Sequence, residues 1–107
     1  MDADESNKLK VDALMSETRR QIISSLVTEK KHISHLAREL QKDRSTIAYH
    51  LDLLEKTGIV SSNYELIEEL HSQGKIGNYY KVNRAVLNEA VRLAIGALSI
   101  TNATSES

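Results

Sequence analysis

Arg44, Ser45, Thr46, Ala48 and Tyr49 lie between Asp43 and His50. At 100° per residue a helix would place Ser45, Ala48, Tyr49, Asp52 and Lys56 on one face, with Arg44 on its flank. Ile47, Leu51 and Leu54 fall on the other side, and Leu53 extends that apolar arc. The outward set suits duplex DNA. An arginine can donate two hydrogen bonds to a guanine edge, while residues as short as Ser45 and Ala48 let a backbone approach the bases. Thr46 or Ser45 can reach a phosphate. The ring of Tyr49 has no place in the apolar stripe and is free to meet a base. No paired carboxylates, nucleophile with a base or phosphate-cradling glycine loop can be assembled anywhere in the chain, so no enzyme is expected.

Two neighbours of this set read differently. His50 falls inside the apolar arc, between Leu53 and Leu54 on the wheel, and is expected to be a structural histidine at the core edge. Asp52 would repel phosphate unless it is neutralised, and Lys56, one turn on, is the expected partner.

These side chains need a frame. Ser34 to Ile59, SHLARELQKDRSTIAYHLDLLEKTGI, reads as two short helices joined by a polar turn at Gln41-Lys42. Ser34 and Asp43 are the expected caps, and Gly58 is the expected left-handed stop. That is a helix-turn-helix pattern. Before it, a helix over Lys8 to Met15 and a second one capped by Ser16 are predicted, the latter with Ile22, Ile23, Leu26 and Val27 inward. Lys31-His32-Ile33 reads as a short extended piece. After Gly58 the runs Ile59-Val60, Tyr64 to Ile67 and Tyr79 to Val82 are β-like, with a tip over Leu70 to Lys75 turned by Gly74. A hairpin directly after such a helix is a wing, and Gln73 and Lys75 at its tip suit phosphate or minor-groove contact.

The last helix, RAVLNEAVRLAIGALSI, is apolar around most of its circumference. A single small domain cannot bury so wide a surface against itself, so a second copy is the expected cover. Leu9, Leu14, Leu87, Val91, Ala94, Ile95 and Leu98 are the expected dimer-interface residues. The predicted fold is mainly α with a small β-hairpin wing (α+β), a winged helix-turn-helix with helical dimerisation elements at both ends. The expected organisation is a flexible acidic tail over 1–7, a DNA-binding domain over 8–83, a dimerisation helix over 84–101 and a flexible tail over 102–107.

Composition fits this reading. The chain has 107 residues, 40% apolar, with a net charge of -1. A core of that size is marginal unless something adds buried surface. Near-neutrality argues against a protein that coats DNA, but residues 71–84 hold Lys75, Lys81 and Arg84 and no acid. Acids gather instead at Asp2, Asp4 and Glu5 and at Glu65, Glu68 and Glu69. Cysteine is absent, which excludes disulfides and thiolate metal sites. The polar start lacks the character of a secretory signal, and the longest apolar tract is too short to span a bilayer. A soluble, cytoplasmic and nucleoid-associated protein without a membrane partner is expected.

The segments LMSETRR-QIISSL, ISHLAREL, DRSTIAYHLDLLEKTGIV and the closing NYYKVN, from Leu14 to Asn83, together resemble the arsenic-repressor (ArsR-like) winged-helix family. The likeness is strongest to its metal-independent relatives common in archaea. It implies a homodimeric transcription regulator with terminal helices at the dimer interface. It also implies DNA-reading residues at Arg44, Ser45, Thr46, Ala48 and Tyr49, with a wing contact at Lys75. Where metal-sensing members carry a cysteine pair, this chain has Leu36-Ala37-Arg38-Glu39, and its last helix lacks histidine. Neither a metal nor any other cofactor is therefore expected. A small-molecule effector at the dimer interface, control by protein level and no effector at all remain open.

The expected function is a sequence-specific double-stranded DNA-binding regulator, a repressor, acting as a homodimer on an inverted repeat. Two alternatives stand beside it: a winged-helix protein-interaction module of the transcription machinery, and a sequence-tolerant chromatin-like DNA-binding protein.

Overall fold

The computed structural model describes residues 2–67 and 74–106, with side chains placed up to 99. The elements are α1 (Ala3–Ala13), α2 (Glu17–Thr28), β1 (Lys31–His32), α3 (Ile33–Leu40), α4 (Arg44–Thr57), β2 (Val60–Leu66), β3 (Ile76–Val82) and α5 (Arg84–Glu106). This is a winged helix-turn-helix: α3 and α4 form the helix pair, and β2 and β3 form the wing.

Local chemistry explains most boundaries, and some differ from expectation. Ser16 caps α2 as predicted, its Oγ accepting from the Arg19 amide at 3.2 Å. The acidic start is helical from Ala3 rather than a tail before Lys8, because Asp2 caps α1 by accepting from the Glu5 amide at 2.8 Å. Asp4 and Glu5 then sit in the first turn, where the helix dipole favours acids. At the other end α5 continues to Glu106, past the expected limit near Thr101. Ser34 does not cap α3. His32 does so two residues earlier, its Nδ1 accepting from the His35 amide at 3.2 Å. Asp43 holds the cap position of α4 but makes no side-chain cap bond. Gln41 makes the left-handed turn (φ 55°), and Gly58 (φ 82°) ends α4.

The core is a single cluster. Ile22 and Leu26 from α2, Leu36 from α3, Ile47, Leu51 and Leu54 from α4, Ile59, Val60 and Ala90 are all buried. These are the positions that helical periodicity selects, so pattern and packing agree. The sheet runs in the order β1-β3-β2, all antiparallel, with Val60 opposite Val82 and Leu66 opposite Ile76. The two-residue β1 thus pairs with the inner wing strand, Lys31 opposite Tyr80. Where the wing leaves the body, the Asn83 amide donates to the Ile59 carbonyl at 2.8 Å. Gly58 sits against Val86 of α5, whose methyls lie 3.8 and 3.9 Å from where a Cβ would stand.

A polar knot that the sequence reading did not foresee joins α2, β1 and α3. Lys31 is buried, and its ammonium donates to Ser25 Oγ at 2.7 Å and Glu39 Oε1 at 2.9 Å. The Ser25 hydroxyl donates to the other carboxylate oxygen of Glu39. The bond from Ser25 and then that from Lys31 hold the Glu39 carboxyl below the usual carboxylate range.

Candidate nucleic-acid interface

One face of the first half of α4 stands clear of the core. Arg44, Ser45, Ala48 and Tyr49 are exposed and Thr46 is half-buried, while Ile47 and Leu51 on the opposite side are buried. One short helix thus presents Arg44, Ser45, Ala48 and Tyr49 to solvent, while Thr46 sits half-buried on its flank. Tyr49 is 62% exposed, which leaves its ring available. Asp52 forms the expected pair with Lys56, at 3.2 Å.

Tyr49 rests on support drawn from elsewhere in the chain. Its ring meets His50 edge-on, with centroids 5.1 Å apart and planes at 74°. His50 is half-buried, as its place on the wheel predicts, and its Nδ1 lies 3.1 Å from Arg19 Nη1. Arginine has no acceptor, so Nδ1 must accept and the imidazole proton sits on Nε2. Burial, then the charges of Arg19 and Lys42, push the imidazole below its ordinary pKa. Arg19 in turn donates to the carbonyls of Ala13 (2.9 Å) and Asp12 (3.2 Å) at the end of α1. One guanidinium thus ties α1 and α2 to α4. No sequence signal reveals it, because its partner lies 31 residues away.

The wing is braced against the body. Ser62 Oγ donates to Glu55 Oε2 of α4 at 3.2 Å, and Lys30 pairs with Glu65 while lying 5.8 Å from the Tyr79 ring centre. Burial and then the nearby Glu55 carboxylate raise the Tyr80 pKa. Lys75 is exposed, and its carbonyl accepts from the Ile67 amide at 2.8 Å, next to Gly74 with φ 81°. Gln73, the other expected tip contact, lies outside the described residues, as do Glu68, Glu69 and His71. Alternation carries the core-facing side of the wing, Val60 and Val82, outward to Tyr64, Leu66 and Ile76, which are 79%, 61% and 67% exposed. This apolar extension was not anticipated.

The expected dimer residues divide into two groups. Leu14 and Leu87 pack against the core of their own chain, and Ala94 is half-buried. Leu9, Val91, Ile95 and Leu98 are exposed, forming with Ala94 an apolar surface on α1 and α5. The two helices are joined by Lys10 and Glu89 at 3.4 Å. Among the described residues no three potential ligands gather to hold a metal ion, and no helix is long and apolar enough to cross a membrane.

This architecture defines a class, the winged-helix DNA-binding domains of transcription regulators. Residues 16–62, running from the α2 cap into β2, match the sequence model of the bacterial regulatory protein, arsR family. It is similar to an ArsR-like transcriptional regulator from Rhodococcus sp. RHA1, at 28% identity and a TM-score of 0.65 over 94% of this chain and 86% of that one. It has the fold of HlyU from Vibrio cholerae, at 20% identity and a TM-score of 0.62 over 87% of this chain and 94% of that one. It also has the fold of a homodimeric winged helix-turn-helix DNA-binding domain from Mycobacterium bovis, at 17% identity and a TM-score of 0.65 over 96% and 85% of the two chains. No curated protein matches the chain in sequence.

Proposed function

We propose that the chain is a sequence-specific double-stranded DNA-binding transcription regulator, a repressor, that acts as a homodimer on an inverted-repeat operator. The observation that carries this reading is the exposed N-terminal half of α4, where Arg44, Ser45, Ala48 and Tyr49 project from a helix whose other side is core. A helix so mounted fits a major groove, Arg44 and Tyr49 meeting base edges and Thr46 the backbone. Lys75, and Gln73 two positions earlier in the sequence, would contact phosphate or the minor groove. The pairing of Asp52 with Lys56 reduces the electrostatic objection.

Dimerisation is supported by the exposed Leu9, Val91, Ile95 and Leu98 and by the homodimeric state of the Mycobacterium bovis domain. A twofold axis through α5 would present two α4 helices to grooves about one helical turn apart. Footprinting on genomic fragments, including the chain's own upstream region, tests the reading. Protection of an inverted repeat is expected, and equal affinity for random DNA at moderate salt would refute sequence specificity.

The exposed Tyr64, Leu66 and Ile76 favour a second reading, in which the wing docks a protein of the transcription machinery. It requires a stable heteromeric complex that Leu66→Ser abolishes without changing DNA affinity.

A further inference from the structure

Between α1, the start of α2 and the second half of α4 lies a cavity of about 240 Å³. Leu9, Ala13 and Leu53 give it an apolar lining, and Asp12, Arg19 and Lys56 also border it. A cavity of ~150 Å³ lined by apolar side chains accepts benzene, so a substituted single ring fits here.

The polar groups narrow the class of ligand. Arg19 is committed to the Ala13 and Asp12 carbonyls and to His50. Thr57 also borders the cavity, but its hydroxyl donates to the Leu54 carbonyl at 2.7 Å and accepts from the Ile59 amide at 3.2 Å. Lys56 is different. Its ammonium is paired with Asp52 on the surface, the two side chains 66% and 67% exposed. A pair so exposed contributes little, so the ammonium changes partner at small cost. We infer that this cavity binds a small apolar monocarboxylate, its hydrocarbon part against Leu9, Ala13 and Leu53 and its carboxylate on Lys56.

Occupancy then changes the reading helix. Asp52 is exposed one turn beyond Ala48 and Tyr49. When the ligand takes Lys56, Asp52 becomes an uncompensated negative charge beside the DNA backbone, and affinity for DNA falls. This second step rests on the DNA-reading function proposed above; binding in the cavity does not.

Methyl NMR titration of the full chain with benzoate, and with benzyl alcohol as its neutral counterpart, tests the site at two protein concentrations. Benzoate is expected to shift the Leu9, Ala13 and Leu53 methyls saturably and to bind roughly two- to fivefold better than the alcohol. Lys56→Gln should remove that advantage. Absence of saturable shifts at these methyls, or equal binding of acid and alcohol, overturns the site as stated. Shifts that follow protein concentration instead of benzoate mean that a second chain fills the cavity, and also overturn it. Leu53→Trp should abolish binding by filling the space, and Leu9→Trp serves the same purpose if the first variant does not fold.

The coupling is read separately by DNA titration. Saturating benzoate should weaken DNA binding roughly two- to fivefold. Asp52→Asn should still bind benzoate while its DNA affinity no longer responds. An unchanged wild-type affinity in saturating benzoate overturns the coupling. Failure to bind DNA in either condition refutes the proposed function, and the NMR titration still decides the cavity.

Discussion

Arg19 Nη1 and His50 Nδ1 meet at 3.1 Å, and through this contact the end of α1 is fastened to the centre of α4. The same guanidinium also bonds two carbonyls at the end of α1, so its loss would take this donor from the part-buried Ala13 carbonyl and from His50 Nδ1 at once, while the Asp12 carbonyl keeps the Met15 amide. Arg19→Met is expected to lower stability by about 2 kcal/mol, since hydrogen bonds from a charged donor are worth ~1.5–3 kcal/mol each and these are only partly buried. Urea unfolding measures it. A loss under about 0.5 kcal/mol would mean that the contact is incidental.

His50 makes stability depend on pH in a definite direction. Its folded pKa lies below the ordinary value of 6.5. Above that value the imidazole is neutral in both states and contributes no slope. As the pH drops below it, the unfolded chain takes up a proton that the folded chain refuses, and stability declines until the folded pKa is reached. His50→Asn, which keeps an acceptor for Arg19, should flatten this part of the curve. Chemical denaturation between pH 7 and pH 5 in both proteins checks the sign.

The ammonium of Lys31, buried at the junction of α2, β1 and α3, depends on Glu39 for its charge partner. Glu39→Ala should cost about 2 kcal/mol, less than a wholly buried pair because the carboxylate is partly exposed. Lys31→Met in the same background should restore part of that loss by removing the stranded charge. A double-mutant cycle isolates the coupling, and strictly additive losses would contradict it.

Tyr49 and Lys75 should separate base reading from backbone attraction. Tyr49→Ala is expected to weaken the specific site by ~1–3 kcal/mol with little change on random DNA. Lys75→Ala should weaken all sequences alike and reduce the salt slope by about one. Fluorescence anisotropy over a salt series distinguishes the two, and the reverse pattern would exchange the assigned roles.

Ile95 lies at 58% exposure on the apolar side of α5. If that side is the subunit contact, Ile95→Asp should raise the dimer dissociation constant by a factor of about 100, because each interface loses two large apolar burials. Helical content should be unchanged. Sedimentation analysis reads the result, and an unaffected dimer would move the interface elsewhere.

What could be read directly from the chain was whatever depends on near neighbours. Ile47, Leu51 and Leu54 fell on one side of α4 because helical spacing alone decides it, and Gly58 marked the end of that helix because a left-handed residue was needed. Tyr49 was legible as an outward residue for the same reason. The cap of α3 was misjudged because Ser34 is the commoner cap type, whereas the short strand before it sets His32 in the extended conformation a cap requires. Arg19, Lys31 and Glu39 were illegible in another sense: their roles come from partners on other elements, and no local pattern encodes such meetings. The exposure of Tyr64, Leu66 and Ile76 was not legible, because alternation marks a shared face without saying where the body beneath it stops.

The bond from the Asn83 amide to the Ile59 carbonyl closes residues 60–82 into a loop whose two ends stay together whatever happens between them. Lengthening such a loop costs little, since closure entropy grows only with the logarithm of its length. With Gly58 seated on Val86, the geometry from α4 to α5 is set at the neck of that loop and not along it. The wing can therefore change in length and sequence without moving α4 relative to α5. If the chain works as the pair proposed above, what the wing touches is uncoupled from the spacing of the half-sites.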